Sequence, residues 1–166
     1  RVLVSGPYPG MGTGDPDLYK AFCWRFWHLL HDSGGHLGVV LPRSVWSVLG
    51  SEDFRKAVLQ EGEVEDLTFL VNNRKWIFDV VHPQYTIALT SLVKRPPNKG
   101  SVVATRGPYP SMMAFNEGVK EPPANLKPEE ILSWTDTAAV PLLTPRGAKE
   151  TGEVFRRIRL HPSLGD

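Results

Sequence analysis

The sequence predicts an α/β fold, and three observations carry that prediction. A helical pattern near residues 15–32 runs through a Gly-Gly turn into a short, continuous apolar run at 36–42, which is half of an α/β unit. Two β-branched runs, at 64–71 and 85–93, stand too close for a helical crossover, so they should be antiparallel neighbours. The chain holds 15 Pro and 15 Gly, with the prolines concentrated toward the second half. That distribution predicts a compact first part and a looser tail.

In chain order, residues 1–14 read as a loop, because Ser5-Gly-Pro-Tyr-Pro-Gly-Met-Gly-Thr-Gly14 cannot hold a regular element. A helix follows, with Asp15 suited to the N-cap and Pro16 to the first turn. Leu18, Tyr19, Phe22, Phe26, Leu29 and Leu30 recur at helical spacing, and Cys23 and Trp27 widen the stripe, which predicts a heavily buried helix. Asp32-Ser-Gly-Gly35 ends it. The run His36 to Pro42 lacks alternation and reads as a fully buried strand of a parallel sheet.

A second helix is expected over 51–60, with Phe54, Val58 and Leu59 inward and Glu52 and Asp53 in its first turn. The 64–71 and 85–93 strands form a long hairpin that closes the sheet edge, joined by an irregular loop rich in aromatic and polar groups. Residues 101–106 read as one more strand and 107–128 as loop. A short helix enters at Pro128, and another is expected over 147–160 with Val154, Phe155 and Ile158 apolar. The organisation expected is a core over 1–100 and a connecting segment over 101–166.

Composition bounds the function. The net charge of +1 gives the whole chain no strong pull toward nucleic acid, so any DNA contact must come from a local patch. The lone Cys23 excludes an intrachain disulfide and fits a reducing compartment, so a cytoplasmic location is expected. No apolar run approaches the roughly 20 residues of a membrane span. The start resembles no signal peptide and carries no initiator Met, which predicts that Arg1 is internal to a longer protein. His28 and His31 are three apart on a helix, but no second ligand pair accompanies them, so no metal site is expected.

Two motif series then carry a resemblance. Asp17-Leu-Tyr-Lys-Ala-Phe22 leads into Gly34-Gly-His-Leu-Gly-Val-Val-Leu-Pro-Arg-Ser44, and Phe54-Arg55 opens the next helix. Phe78-Asp-Val-Val-His-Pro-Gln-Tyr-Thr-Ile-Ala-Leu89 joins the last two strands. This series resembles the adenine-N6 DNA methyltransferases, which pair "N/D-L-Y-x-x-F" with "L-x-P-G-G-x-L-x-x-x-x-P-x-S" and carry an "H-P-Q" or "F-P-Q" element. His31-Asp-Ser-Gly-Gly35 replaces their basic-Pro-Gly-Gly. Trp134-Thr-Asp, Pro141-Leu-Leu and Phe155-Arg-Arg-Ile-Arg-Leu-His-Pro-Ser-Leu-Gly-Asp166 are similar to the connection toward a target-recognition domain in the large restriction or phage-defence members.

The resemblance implies the second half of a class I S-adenosylmethionine-dependent (Rossmann-like) sheet. That sheet ends in an antiparallel strand pair, followed by a Pro-rich, partly helical tail. The implied cofactor of the complete protein is S-adenosylmethionine. The implied partners are DNA and a missing N-terminal half or another chain, with no membrane. The family's Gly-rich cofactor loop and its catalytic "N-P-P-Y/F/W" motif are absent from this sequence; Ser5-Gly-Pro-Tyr8 is the nearest string. No catalytic residue is therefore assigned, and the 166 residues alone are expected not to methylate DNA.

What remains are pocket walls. Phe22 matches the position that packs on the cofactor's adenine, with Tyr19 beside it; the competing reading makes Phe22 plain core. His82 and Pro83 match residues bordering a base flipped from the duplex, and Trp76 shares their loop; the competing reading is a loop histidine at a strand end. Base–aromatic stacking is worth roughly 1–3 kcal/mol. Arg74, Lys75, Lys94 and Arg95, with Lys99, are candidates for DNA phosphate or else ordinary surface. Arg156, Arg157 and Arg159 form a second basic cluster. The alternatives to an enzyme part are a non-catalytic binding or scaffold module that keeps the half-fold, or an unrelated α/β domain. A half-sheet also predicts an unpaired edge and self-association through it.

Overall fold

The computed structural model describes residues 17–143 together with residues 153, 154 and 157. The expected initial loop, the Asp15 and Pro16 helix start, Arg156, Arg159, Phe155 and Ile158 lie outside the described residues. The described chain is α/β, with a five-stranded mixed sheet and four α-helices among those residues.

Helix α1 spans Leu18–Leu29 behind an N-cap at Asp17. It buries Lys20, Ala21, Cys23 and Trp27, and the Trp27 ring lies so close to Gly62 that a Cβ there would meet it at 2.4 Å. The expected heavy burial is half right. The stripe formed by Leu18, Phe22 and Leu29 faces outward, with these side chains 66%, 52% and 63% exposed. Both faces of α1 are apolar, and the core takes the one carrying the indole. Gly34, at φ 118°, turns the chain into β1 (Gly35–Pro42).

β1 corrects a prediction. It is an edge strand that pairs only with β3 among the described strands, and its burial alternates along its length instead of being complete. After it, the 3-10 turn Arg43–Trp46 leads to α2 (Glu52–Glu61). Phe54, Val58 and Leu59 are buried there as expected. β2 (Glu63–Val71) and β3 (Thr86–Lys94) follow and pair antiparallel, also as expected.

Their place in the sheet is a second correction, since this hairpin does not close an edge. The strand order is β1-β3-β2-β4-β5, so β3 lies between β1 and β2 and runs antiparallel to both. The residues of β3 explain why. Ala88, Thr90 and Leu92 are buried on one face and Ile87 and Val93 on the other, as suits a strand in the interior of a covered sheet.

β4 (Val103–Tyr109) pairs parallel with β2, and β5 (Ala124–Leu126) pairs antiparallel with β4. The stretch 107–128 is thus less irregular than expected: it holds the end of β4, helix α3 (Met112–Gly118) and β5. Its prolines flank these elements more than they interrupt them, and Ser111 caps α3 by accepting the Ala114 N–H at 3.2 Å. Helix α4 (Pro128–Trp134) begins at Pro128 as predicted. One core cluster joins α1, α2, the five strands and residues up to Leu143, including Trp27, Trp46, Phe69, Val103, Leu126, Ile131 and Val140. The segment after residue 100 therefore adds to the same sheet and the same core. No helix among the described residues is long and apolar enough to cross a membrane.

Candidate functional site

The carboxyl end of β1 lies beside the amino end of β3, with Pro42 opposite Ile87. Two irregular segments leave the sheet here, residues 43–51 after β1 and residues 72–85 before β3. Each is fastened by one buried polar side chain.

Arg55 of α2 fastens the first. It is fully buried, and Nη1 donates to the carbonyls of Val45 and Val48, both at 2.8 Å. Its Nε and Nη2 donate to Thr137 O at 3.1 and 2.8 Å. Desolvation lowers its pKa to about 10, which leaves it charged at neutral pH. Trp46 adds a bond from Nε1 to Thr90 Oγ1 at 3.2 Å. Asn72 fastens the second segment. It is also fully buried; its Nδ2 donates to Phe78 O and Val81 O at 3.0 and 3.1 Å, and its Oδ1 accepts from the N–H groups of Ile77 and Phe78. An asparagine can satisfy both sexes of backbone group at once, which a loop without ladder partners requires.

Between these segments lies a cleft of about 380 Å³. Pro42, Arg43, Ser44, Ser47 and Val48 form one wall, and His82, Gln84, Tyr85 and Thr86 form the other. The His82 and Tyr85 rings meet edge to face with centroids 6.1 Å apart. The Gln84 N–H donates to His82 Nδ1 at 3.3 Å. No carboxylate lines the cleft among the described residues. The Nε of Arg43 is buried and has no hydrogen-bond partner among the described residues.

The residues singled out in the sequence do not gather here. His82 lines the cleft; Pro83 and Trp76 are half-buried beside it without lining it. The Trp76 indole N–H donates to Val71 O at 2.7 Å, which anchors the loop to β2. Phe22 stacks on Phe26 on the open side of α1 with centroids 5.8 Å apart, and Tyr19 is half-buried against the core.

The basic residues split between the two ends of the sheet. Arg74 and Lys75 are exposed in the 72–85 loop, both at positive φ. Lys94 pairs with Gly35 at the other end of β1, seven residue steps away and so roughly 23 Å along the strand. Lys94 already binds Asp32 at 2.8 Å and lies over the Trp27 ring, while Arg95 binds Glu63 at 2.5 Å. One continuous basic patch is therefore not formed by these four residues. Of the second cluster only Arg157 is described, exposed and bonded to Glu153 at 3.1 Å. Cys23 is buried, which pushes its thiol up to about 12 and keeps it un-ionised.

Sequence reasoning missed Arg43, Ser44, Ser47 and Tyr85. The available signal was positional. Arg43-Ser44 directly follows a predicted strand and Tyr85 is the first residue of another, and in open α/β sheets binding crevices form at strand carboxyl ends. No protein-family model and no curated protein matches the chain.

Proposed function

We propose that this chain is part of a site-specific DNA adenine-N6 methyltransferase of a restriction-modification or phage-defence system. The observation that carries this reading is the insertion of β3 between β1 and β2, antiparallel to both. The class I methyltransferase sheet ends with such an antiparallel insertion, and the motif series of the sequence runs along these same strands. The cleft at the ends of β1 and β3 would then border the flipped adenine, with His82 and Tyr85 offering their rings to the base.

S-adenosylmethionine supplies the methyl group in this chemistry. The exposed ring of Phe22 suits a wall for its adenine. This sequence holds neither the Gly-rich cradle nor the "N-P-P-Y/F/W" motif, so other polypeptide must contribute both. Two features support a further polypeptide beside this one: β1 is partnered on one side only among the described strands, and α1 presents Leu18, Phe22 and Leu29 outward. The test is S-adenosylmethionine binding by calorimetry on this chain alone and on a polypeptide extended upstream through the missing motifs. Binding by the extended form only, weakened by Phe22→Ala, supports the reading. Binding by neither replaces it with a non-catalytic module.

A further inference from the structure

Three arginines among the described residues are buried or half-buried: Arg43, Arg55 and Arg106. Arg55 is satisfied by three carbonyls, and Arg106 is paired with Asp66. Arg43 alone of these has no acceptor among the described residues, and its Nε is withdrawn from solvent. The half-buried side chain lines the cleft, and a cation there without an acceptor among the described residues is satisfied by an incoming one. Its surroundings say which kind. Among the described residues the cleft it lines contains no Asp or Glu, and it places Ser44 and Ser47 on the same wall. Ser44 Oγ has no hydrogen-bond partner among the described residues. A guanidinium fork beside hydroxyls matches tetrahedral phosphate oxygens. The opposite wall carries His82 and Tyr85, two exposed rings packed edge to face, and aromatic rings are the groups on which bases stack. About 380 Å³ is room for a base and its phosphate together.

We propose that this cleft is a nucleotide site in which Arg43, with Ser44 and Ser47, takes the phosphate while the base lies against His82 and Tyr85. The base half rests on the methyltransferase reading above, whereas the phosphate half stands on Arg43 independently. The ligand is either a free purine mononucleotide or one unit of a nucleic-acid strand, which share this chemistry.

The test follows the Arg43 Nε–Hε resonance by ¹H–¹⁵N NMR on the full chain during titration with inorganic phosphate, adenosine, AMP and a short single-stranded oligo-dA. Phosphate and AMP should shift that resonance. AMP should bind at least tenfold tighter than adenosine, and Arg43→Met should remove the difference. An oligonucleotide that binds at least tenfold tighter than AMP identifies a strand as the source; equal binding identifies the free nucleotide, and both support the phosphate site. An Arg43 resonance unmoved by phosphate, AMP and oligonucleotide overturns it, and this readout on the unmutated chain does not depend on whether Arg43→Met folds. Adenosine binding without any phosphate response overturns this inference and leaves the base reading standing. Phosphate binding with no response to adenosine does the reverse.

Discussion

Replacing Arg55 with methionine tests how the cleft is held. The side chain is fully buried and its guanidinium makes four N–H···O contacts to the carbonyls of Val45, Val48 and Thr137. Methionine keeps most of the aliphatic packing and removes every donor. The carbonyls of Val45, Val48 and Thr137 then lose their partner, the first buried and the other two part-buried, at up to about 1–3 kcal/mol each. Against this, folding no longer has to desolvate a guanidinium, which returns several kcal/mol. The balance is a loss of about 3 kcal/mol, large beside a typical domain stability of about 5–15 kcal/mol. Denaturant unfolding measures it, with exposed Arg74→Met as the control expected within about 0.5 kcal/mol of the parent. Because Val45 and Val48 belong to the segment carrying Ser44 and Ser47, nucleotide binding should weaken even where the variant stays folded. A loss below about 1 kcal/mol would refute the reasoning, since it would mean that the carbonyls find water or that burying the charge cost as much as its bonds return.

Four further outcomes are expected. Asn72→Ala removes both donor and acceptor from the 72–85 loop, so about 2–4 kcal/mol should be lost in the same assay, with the His82 ring signals broadened or shifted by NMR. Gly62→Ala drives a Cβ to 2.4 Å from the Trp27 ring and 2.9 Å from Val93 O, and overpacking of this kind costs about 1–3 kcal/mol by thermal or denaturant unfolding. Glu63 accepts from Ser101 Oγ and Arg95, which hold its carboxyl below the ordinary 4.5. A depressed folded pKa gives stability that is complete above about pH 4.5 and drains as pH falls through the folded value, so Glu63→Gln should flatten the acid limb of a stability–pH curve. Light scattering should show the chain self-associating; Phe22→Asp with Leu29→Lys should reduce that association while leaving stability nearly unchanged, because both side chains are already exposed.

Periodicity alone located most elements, most clearly α2 and α4, where one side meets the core and the other does not. It failed where both faces were apolar. In α1 the stripe through Leu18, Phe22 and Leu29 is as regular as the one through Cys23 and Trp27, and helical spacing cannot say which the core will take. The outcome turned on Gly62, which leaves room for one indole and lies 35 positions away from it. In β1 the run of small and apolar residues suggested burial on both faces, but burial also needs neighbours, and the strand has one only on its β3 side among those described. The order of strands was beyond pairwise reasoning. Closeness in sequence correctly paired β2 with β3, yet only the backbone pairing of the folded sheet places β3 between β2 and β1.

The cleft was hardest to see because its geometry is set by residues that are not in it. Arg55 and Asn72 line no wall, and in the sequence each looks like an ordinary surface residue, one in a charged helix and one in a polar loop. Their burial reverses that reading. A segment with no ladder partners still has backbone groups to satisfy, and a single polar side chain can satisfy three or four of them only by standing inside the bend it organises. Both irregular segments at this end of the sheet use the device, one with a cation and one with an amide. Arg43 departs from the same rule in the same place: its Nε is withdrawn from solvent, but no acceptor among the described residues meets it. Two arginines twelve residues apart therefore stand in contrast. Arg55 has its acceptors inside the fold and holds the wall in place, whereas Arg43 lines the cleft with no acceptor for its guanidinium among the described residues.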